Sequence, residues 1–309
     1  MRNSTYFTTV DLAHGYHQVK VADDSIPKTA FITPDGHYEY LRMPFGLANA
    51  PAVFQRAINS ILGQMRFKTA FAYLDDILIP SQTFTKGLES LREVLSLFRN
   101  AGITFRLTKC HFFYDKLEYL GHELSCRGVQ PGQAKIQAVS EYPKPRNVHQ
   151  IRQFIGLTSY FRRFIKGFAT IAKPLTNLTK KDVPFSWTEQ QEDAFQTLKR
   201  KLVERPVLAL YNREAITELH TDASKHGLGG VLLQRQHDGS LRPICYYSRQ
   251  TTRTEENYHS YELETLAVVD SIRRFRVYLL GLPFTVVMDC NARRTAMTKR
   301  DLIPRIGRW

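Results

Sequence analysis

The stretch that most restricts how this chain can fold is 68–80: Lys68-Thr69-Ala70-Phe71-Ala72-Tyr73-Leu74-Asp75-Asp76-Ile77-Leu78-Ile79-Pro80. Two apolar, β-prone runs flank a Leu-Asp-Asp step, which is the pattern of a hairpin. Its tip then carries two adjacent carboxylates on otherwise apolar strands. Neighbouring carboxylates repel and gain nothing from burial unless a cation compensates them. Aspartate is also common in solvated β-turns, so the pair taken alone leaves both readings open.

The flanking sequence builds a framework around that hairpin. Residues 5–42 alternate with period two around Pro34-Asp35-Gly36, which predicts strands and a hairpin. Pro51 suits a first helical turn and opens a helix with Val53, Phe54, Ala57, Ile58 and Ile61 on one face. A second stripe, Leu88, Leu91, Val94, Leu95 and Phe98, ends at Gly102, where a C-cap belongs. Residues 117–124 suggest another short hairpin. After Pro143 and Pro145 comes a helical region, 147–180, in which Phe154, Tyr160, Phe161 and Phe164 interleave with Arg152, Arg162, Arg163 and Lys166. Thr188 and Gln191 form a capping box for a helix ending before Pro206. Strands at 216–222, 228–236 and 242–248, a helix from about Glu255 to Leu280, and a strand at 284–289 follow. The fold class is α+β in three parts: 1–125, strand-rich with helices; 126–210, helical; and 211–309, α/β.

A chain of 309 residues accommodates two or three domains, and 43% hydrophobic content suffices for their cores. The 43 Lys and Arg against 29 Asp and Glu leave a net charge of +14. Such an excess suits a polyanionic partner, although a merely soluble basic protein satisfies it equally. Cys110, Cys126, Cys245 and Cys290 show no C-x-x-C spacing and read as reduced thiols rather than a disulfide frame or a zinc site. No N-terminal apolar leader and no apolar run of about 20 residues is present, so a protein of the cytoplasm or nucleus is expected.

Further blocks decide between the readings of the Asp pair. Asp11 ends an apolar strand and precedes Leu12-Ala13-His14-Gly15-Tyr16-His17-Gln18. Met43-Pro44-Phe45-Gly46-Leu47-Ala48-Asn49-Ala50-Pro51 leads into Val53-Phe54-Gln55. With Tyr73-Leu74-Asp75-Asp76, Lys109-Cys110 and Leu120-Gly121-His122, these blocks resemble, in order and spacing, the reverse transcriptases of gypsy-like LTR retrotransposon Pol polyproteins. The resemblance covers essentially the whole chain.

It implies a polymerase palm over 1–125, a thumb and connection over 126–210, and a ribonuclease H-like domain over 211–309. Asp11, Asp75 and Asp76 would be the catalytic carboxylates holding two Mg²⁺ ions, with Mn²⁺ also compatible with such ligands. Tyr16 would lie under the incoming sugar and exclude a 2′-hydroxyl. Phe45 and Gly46 would line the dNTP pocket, Lys109 would approach the triphosphate, and Leu120, Gly121 and His122 would present the primer end. Partners implied are an RNA template, a DNA primer, the RNA–DNA hybrid and dNTPs. Ordinary core packing accounts for Tyr16 and Phe45 when the resemblance is set aside. The basic aromatic helices of 147–180 would track a duplex, or simply pack on their own domain.

A second carboxylate set resembles a ribonuclease H site with its own metals: Asp222 on a strand, Glu264 in the long helix and Asp289 ending the last strand. Glu262 competes with Glu264; the spacing of Glu264 to Leu266-Ala267 matches the family better. Three departures stand out. The chain starts almost at Asp11, so the upstream fingers region is expected to be missing. It stops at Trp309, before the fourth ribonuclease H carboxylate, and Asp301 follows Asp289 too closely for that role. Cys290 stands where His is usual.

Overall fold

The structure, a computed structural model, describes residues 4–204 and 206–288. The described residues form two compact units, the first made of 4–120 with 124–126 and the second of 121–123 with 127–204 and 206–288.

The first unit is built on strands β1 (Tyr6–Asp11), β2 (Phe31–Thr33) and β3 (Gly36–Tyr38), helix α1 (Ala50–Leu62), strands β4 (Phe71–Tyr73) and β5 (Asp76–Ser81), helix α2 (Phe84–Asn100), and strands β6 (His111–Tyr114) and β7 (Lys116–Tyr119). Its main sheet has the order β4-β5-β1-β6, with β1 antiparallel to both neighbours. Val10 and Leu12 from the β1 region and Ile77 and Ile79 from β5 meet Phe54, Ile58 and Leu62 of α1 and Val94 and Phe98 of α2 in one core. The buried face of α1 is Ala50, Phe54, Ile58 and Leu62. That stripe is rotated from the one the sequence predicts, so Val53 and Ile61 only border the core.

Residues 12–30 differ from the expected strands. They form 3-10 turns at Gly15–Gln18 and Asp23–Thr29 instead. Gln18 explains the first: its side chain donates to the carbonyls of Ala13 and Thr104 and accepts from Thr104 N at 2.7 Å, replacing a strand's ladder partners.

The chain enters the second unit near β8 (His122–Ser125) and β9 (Gly128–Pro131). Helices α3 (Gln133–Ser140), α4 (Val148–Ser159), α5 (Phe168–Ile171), α6 (Lys173–Asn177) and α7 (Glu189–Val203) come next. Phe154 of α4 and Phe195 of α7 pack at 4.6 Å between ring centroids. Phe154, Phe161 and Phe164 are buried, so these aromatics of the basic helical region build the unit's core rather than a surface. Arg162 is turned inward and donates to Ser248 O. Arg152 and Lys166 stay exposed.

Strands β10 (Thr217–Ser224), β11 (Gly227–Arg235), β12 (Leu241–Arg249) and β13 (Thr285–Met288) form a sheet of order β12-β11-β10-β13, with β13 parallel to β10. Helix α8 (Ser260–Leu279) packs on β10 and β11. It begins five residues later than the sequence suggests, after a separate 3-10 turn at Glu255–Asn257. The helix approaches the sheet closely at Gly230: a Cβ there would lie 3.0 Å from Ser271 Cβ and closer still to its hydroxyl. Glycine is the residue that permits this contact.

Candidate active site

Backbone pairing assembles the first carboxylate set. β1 and β5 run antiparallel with Asp11 directly opposite Asp76. Tyr73 pairs with Asp76, which leaves Leu74 and Asp75 as a two-residue hairpin loop. Asp75 is therefore in the turn, while Asp76 already belongs to β5. Leu12 N donates to Asp75 O at 3.0 Å, so the loop is also tied to the end of β1. The loop is held in an uncommon conformation, with Leu74 at φ 52° where glycine is the usual choice. Gln55 of α1 accepts from Leu74 N at 2.8 Å and donates to Ala72 O at 3.3 Å, fixing the loop from the helix side. Gly15, at φ 34°, borders the Asp75 carboxylate: a Cβ there would meet Asp75 Oδ2 at 3.4 Å, an ordinary contact, so it is the backbone conformation that favours glycine.

The electrostatics follow from this packing of like charges. Burial raises the Asp76 pKa, the charges of Asp75 and Asp11 raise it further, and Lys109 opposes them. Lys109 Nζ lies 3.8 Å from Asp11 Oδ2. Asp11, Asp76 and Lys109 line a cavity of about 350 Å³ with Thr9, Thr108, His111, Glu118, Tyr119 and Leu120. Among the described residues, no three acidic, histidine or cysteine groups form a ready-made metal site. The donor set nonetheless fits a hard divalent cation. It is all carboxylate oxygen, and mutual repulsion, visible in Asp76, is what such a cation relieves.

Tyr16 is half-buried on the core, 5.4 Å from the Phe54 ring edge-on and 5.3 Å from Phe45. Phe45 is 68% exposed, which core packing does not explain. Gly46 follows at φ 93°, a conformation that favours glycine. Leu120 and Gly121 have φ of 50° and 70°, the signature of a tight turn with two left-handed residues. His122 stacks on Tyr160 at 5.3 Å with 11° between planes and also meets Phe161 and Phe164. Burial, with a smaller push from Arg163, lowers its pKa to about 4, so the ring is neutral at pH 7.

The second set is spread over different elements. Asp222 is the exposed residue after buried Thr221 near the end of β10. It lines a cavity of about 540 Å³ with Lys166, Thr170, His220, Ser224 and Tyr246, a lining that does not include Glu264. Glu264 is half-buried on α8. Glu262 is 8% exposed and accepts from His259 N in the capping box of α8, so its carboxylate serves the helix end. Asp289, and with it Cys290 and Asp301, lies outside the described residues.

Sequence reasoning missed Gly15, Tyr119 and Glu118 as neighbours of the carboxylates and read Gln55 only as part of a block. Gln55 was detectable, since it is a polar residue beside Phe54 on a core-facing helix. Tyr119 was not, because its role depends on how β7 docks within the first unit.

Comparison with known proteins completes the picture. Residues 1–124 match the family model described as reverse transcriptase (RNA-dependent DNA polymerase), and 187–286 match the RNase H-like domain found in reverse transcriptase. The chain is 42% identical over 98% of its length to the retrovirus-related Pol polyprotein from transposon 297 of Drosophila melanogaster. It is 39% identical over 99% of its length to that of transposon opus from the same organism, and 36% over 94% to a Tf2 transposon polyprotein of Schizosaccharomyces pombe. The chain belongs to the retrotransposon Pol polyproteins. This Pol chain carries a reverse transcriptase domain followed by an RNase H-like domain, and spans 28%, 32% and 22% of those three relatives. Its fold matches the foamy viral protease-reverse transcriptase dRH in complex with double-stranded DNA, with a TM-score of 0.87, 22% identity, and coverage of 97% of this chain and 53% of that one. The same foamy viral protein in complex with RNA/DNA hybrid matches with a TM-score of 0.84 and 22% identity, over 100% of this chain and 42% of that one. No helix of the described residues is long and apolar enough to cross a membrane.

Proposed function

We propose that this Pol chain is an RNA-directed DNA polymerase that extends a DNA primer on an RNA template, with a hybrid-directed ribonuclease function in its second unit. The observation that carries the reading is Asp11 placed opposite Asp76, with Asp75 held beside them at a strained turn. Asp11, Asp75 and Asp76 would hold two divalent ions, Mg²⁺ or Mn²⁺. Bound there, the ions lower the pKa of the primer 3′-hydroxyl and stabilise the departing pyrophosphate.

The chain's own residues supply the rest. Tyr16, backed by Phe54, offers a fixed ring against the sugar of the incoming dNTP and leaves no room for a 2′-hydroxyl. Exposed Phe45 and the left-handed Gly46 offer a surface for the nucleotide beside that ring. Lys109, 57% exposed at its side chain, is free to exchange Asp11 for a phosphate. The Leu120-Gly121 turn, with His122 anchored in its aromatic stack, is rigid enough to present a primer end. The complexes with double-stranded DNA and RNA/DNA hybrid formed by the foamy viral relatives support the same partners here. The net charge of +14 fits a polyanion. For the second unit, the match to the RNase H-like model over 187–286 and the position of Asp222 beside an open cavity support Asp222 and Glu264 as ribonuclease carboxylates; Asp289, outside the described residues, completes the set by resemblance alone.

Primer extension by the purified chain with an RNA template, DNA primer, Mg²⁺ and dNTPs, beside Asp75→Asn, tests the proposal. Synthesis that falls by at least about 10²-fold in the variant supports it. Absence of synthesis from folded protein that still binds the hybrid in a salt-sensitive way would replace it with a nucleic-acid-binding role.

A further inference from the structure

The turn that carries Asp75 is expensive to hold. Its stem on the β4 side is three residues long, and its loop places a leucine at φ 52°. Strain of this kind persists only when surrounding groups over-determine the conformation. Gln55 supplies one such constraint from α1, on Leu74 N and Ala72 O. The second constraint comes from another element of the same unit. Tyr119, the last residue of β7, places its hydroxyl 3.3 Å from Phe71 O and 3.3 Å from Asp76 O. One carbonyl belongs to each strand of the hairpin, and a single hydroxyl proton is shared between them. Phenylalanine would fill the same space; the hydroxyl is what reaches the hairpin backbone.

Resting on the polymerase reading above, we propose that Tyr119 is a positioning residue: its hydroxyl bridges β4 and β5 and fixes the angle at which Asp75 and Asp76 are presented. Tyr119 is also joined directly to Leu120, the first left-handed residue of the turn assigned to the primer end. One side chain therefore sets the spacing between the carboxylate hairpin and the strand leading into that turn. Loss of the hydroxyl leaves the carboxylates in place but lets the hairpin breathe, so the chemical step suffers more than nucleotide binding.

The test is Tyr119→Phe, followed by two independent readouts. In single-turnover primer extension the maximal rate falls about tenfold, while the apparent dNTP affinity stays within about twofold. In the metal-free protein without substrates, amide hydrogen exchange at Leu74 and Asp76 speeds up about tenfold while exchange in the core of α1 and α2 and the thermal midpoint are unchanged. Wild-type rate and wild-type exchange in the variant would overturn the proposal. A rate loss accompanied by faster exchange throughout the unit would also overturn it, since Tyr119 would then be a general packing residue. If the wild-type chain itself extends no primer, the polymerase reading fails, and the exchange experiment still decides whether the hydroxyl clamps the hairpin.

Discussion

The two units of this Pol chain place their candidate acidic side chains by opposite means. In the first, Asp11 and Asp76 face each other because the strands that carry them are hydrogen-bonded neighbours, and Asp75 is one residue away in the loop. In the second, Asp222 sits on a strand, Glu264 on a helix that packs against that strand, and Asp289 beyond the described residues. Sheet register fixes the first arrangement to within one residue, because a slip would turn every side chain to the other face. Helix-on-sheet packing fixes the second only through side-chain volumes, which tolerate small shifts. The first site should therefore be robust to core substitutions and the second sensitive to them.

The largest effect that would break this comparison is a failure of the two sites to separate. Asp222→Asn is expected to reduce cleavage of an RNA–DNA hybrid by at least about 10²-fold and to leave primer extension within about twofold of wild type. Parallel assays on one preparation read both numbers. Cleavage that survives the substitution removes Asp222 from the chemistry and, with it, the reading of the second set.

A smaller effect sharpens the contrast in packing. Gly230→Ala inserts a methyl group where Ser271 of α8 already lies, and overpacking of this kind costs about 1–3 kcal/mol. Urea denaturation followed by tryptophan fluorescence should show that loss, and hybrid cleavage should fall more than primer extension, because the displaced helix is the one bearing Glu264. Equal loss of both activities would mean that the two sites do not differ in how they depend on packing.

The same contrast explains what was legible in the sequence. The hairpin at 68–80 declared itself through two apolar runs and a short polar tip, and the strand and helix order of the second unit through alternation and a capping box at Thr188 and Gln191. These are local signals. The turn at Gly15–Gln18 defeated the alternation rule because Gln18 bonds to Thr104, a partner 86 residues away that no local pattern encodes. Leu74 in a left-handed conformation runs against its own preference, so only the structure reveals it. The aromatic side chains of 147–180 read from the sequence more as a duplex platform than as core; Phe154, Phe161 and Phe164 are buried in the core, while Tyr160 stays exposed. In the candidate site, the carboxylates were visible by type and spacing. Tyr119, whose hydroxyl reaches the hairpin backbone, was not, because it acts across elements distant in sequence.

The smallest predicted effect probes whether the first site is electrostatically unfinished in the absence of a cation. Burial and the charges of Asp75 and Asp11 raise the Asp76 pKa in the folded protein, so its carboxyl binds a proton more tightly folded than unfolded. Its contribution to stability is then fully present at low pH and is lost as pH rises through the raised folded value. Asp76→Asn removes that loss. The metal-free variant should melt about 1–2 °C above wild type at pH 7 and together with it near pH 3, a modest gain because solvent reaches the site. Adding Mg²⁺ should reverse the order at pH 7, since the cation stabilises the carboxylate form and has less to bind in the amide. Thermal melts at the two pH values, with and without Mg²⁺, decide the matter. A variant that melts below wild type at pH 7 without metal would show that Lys109 already compensates the cluster, and that the first site has no standing need of a cation.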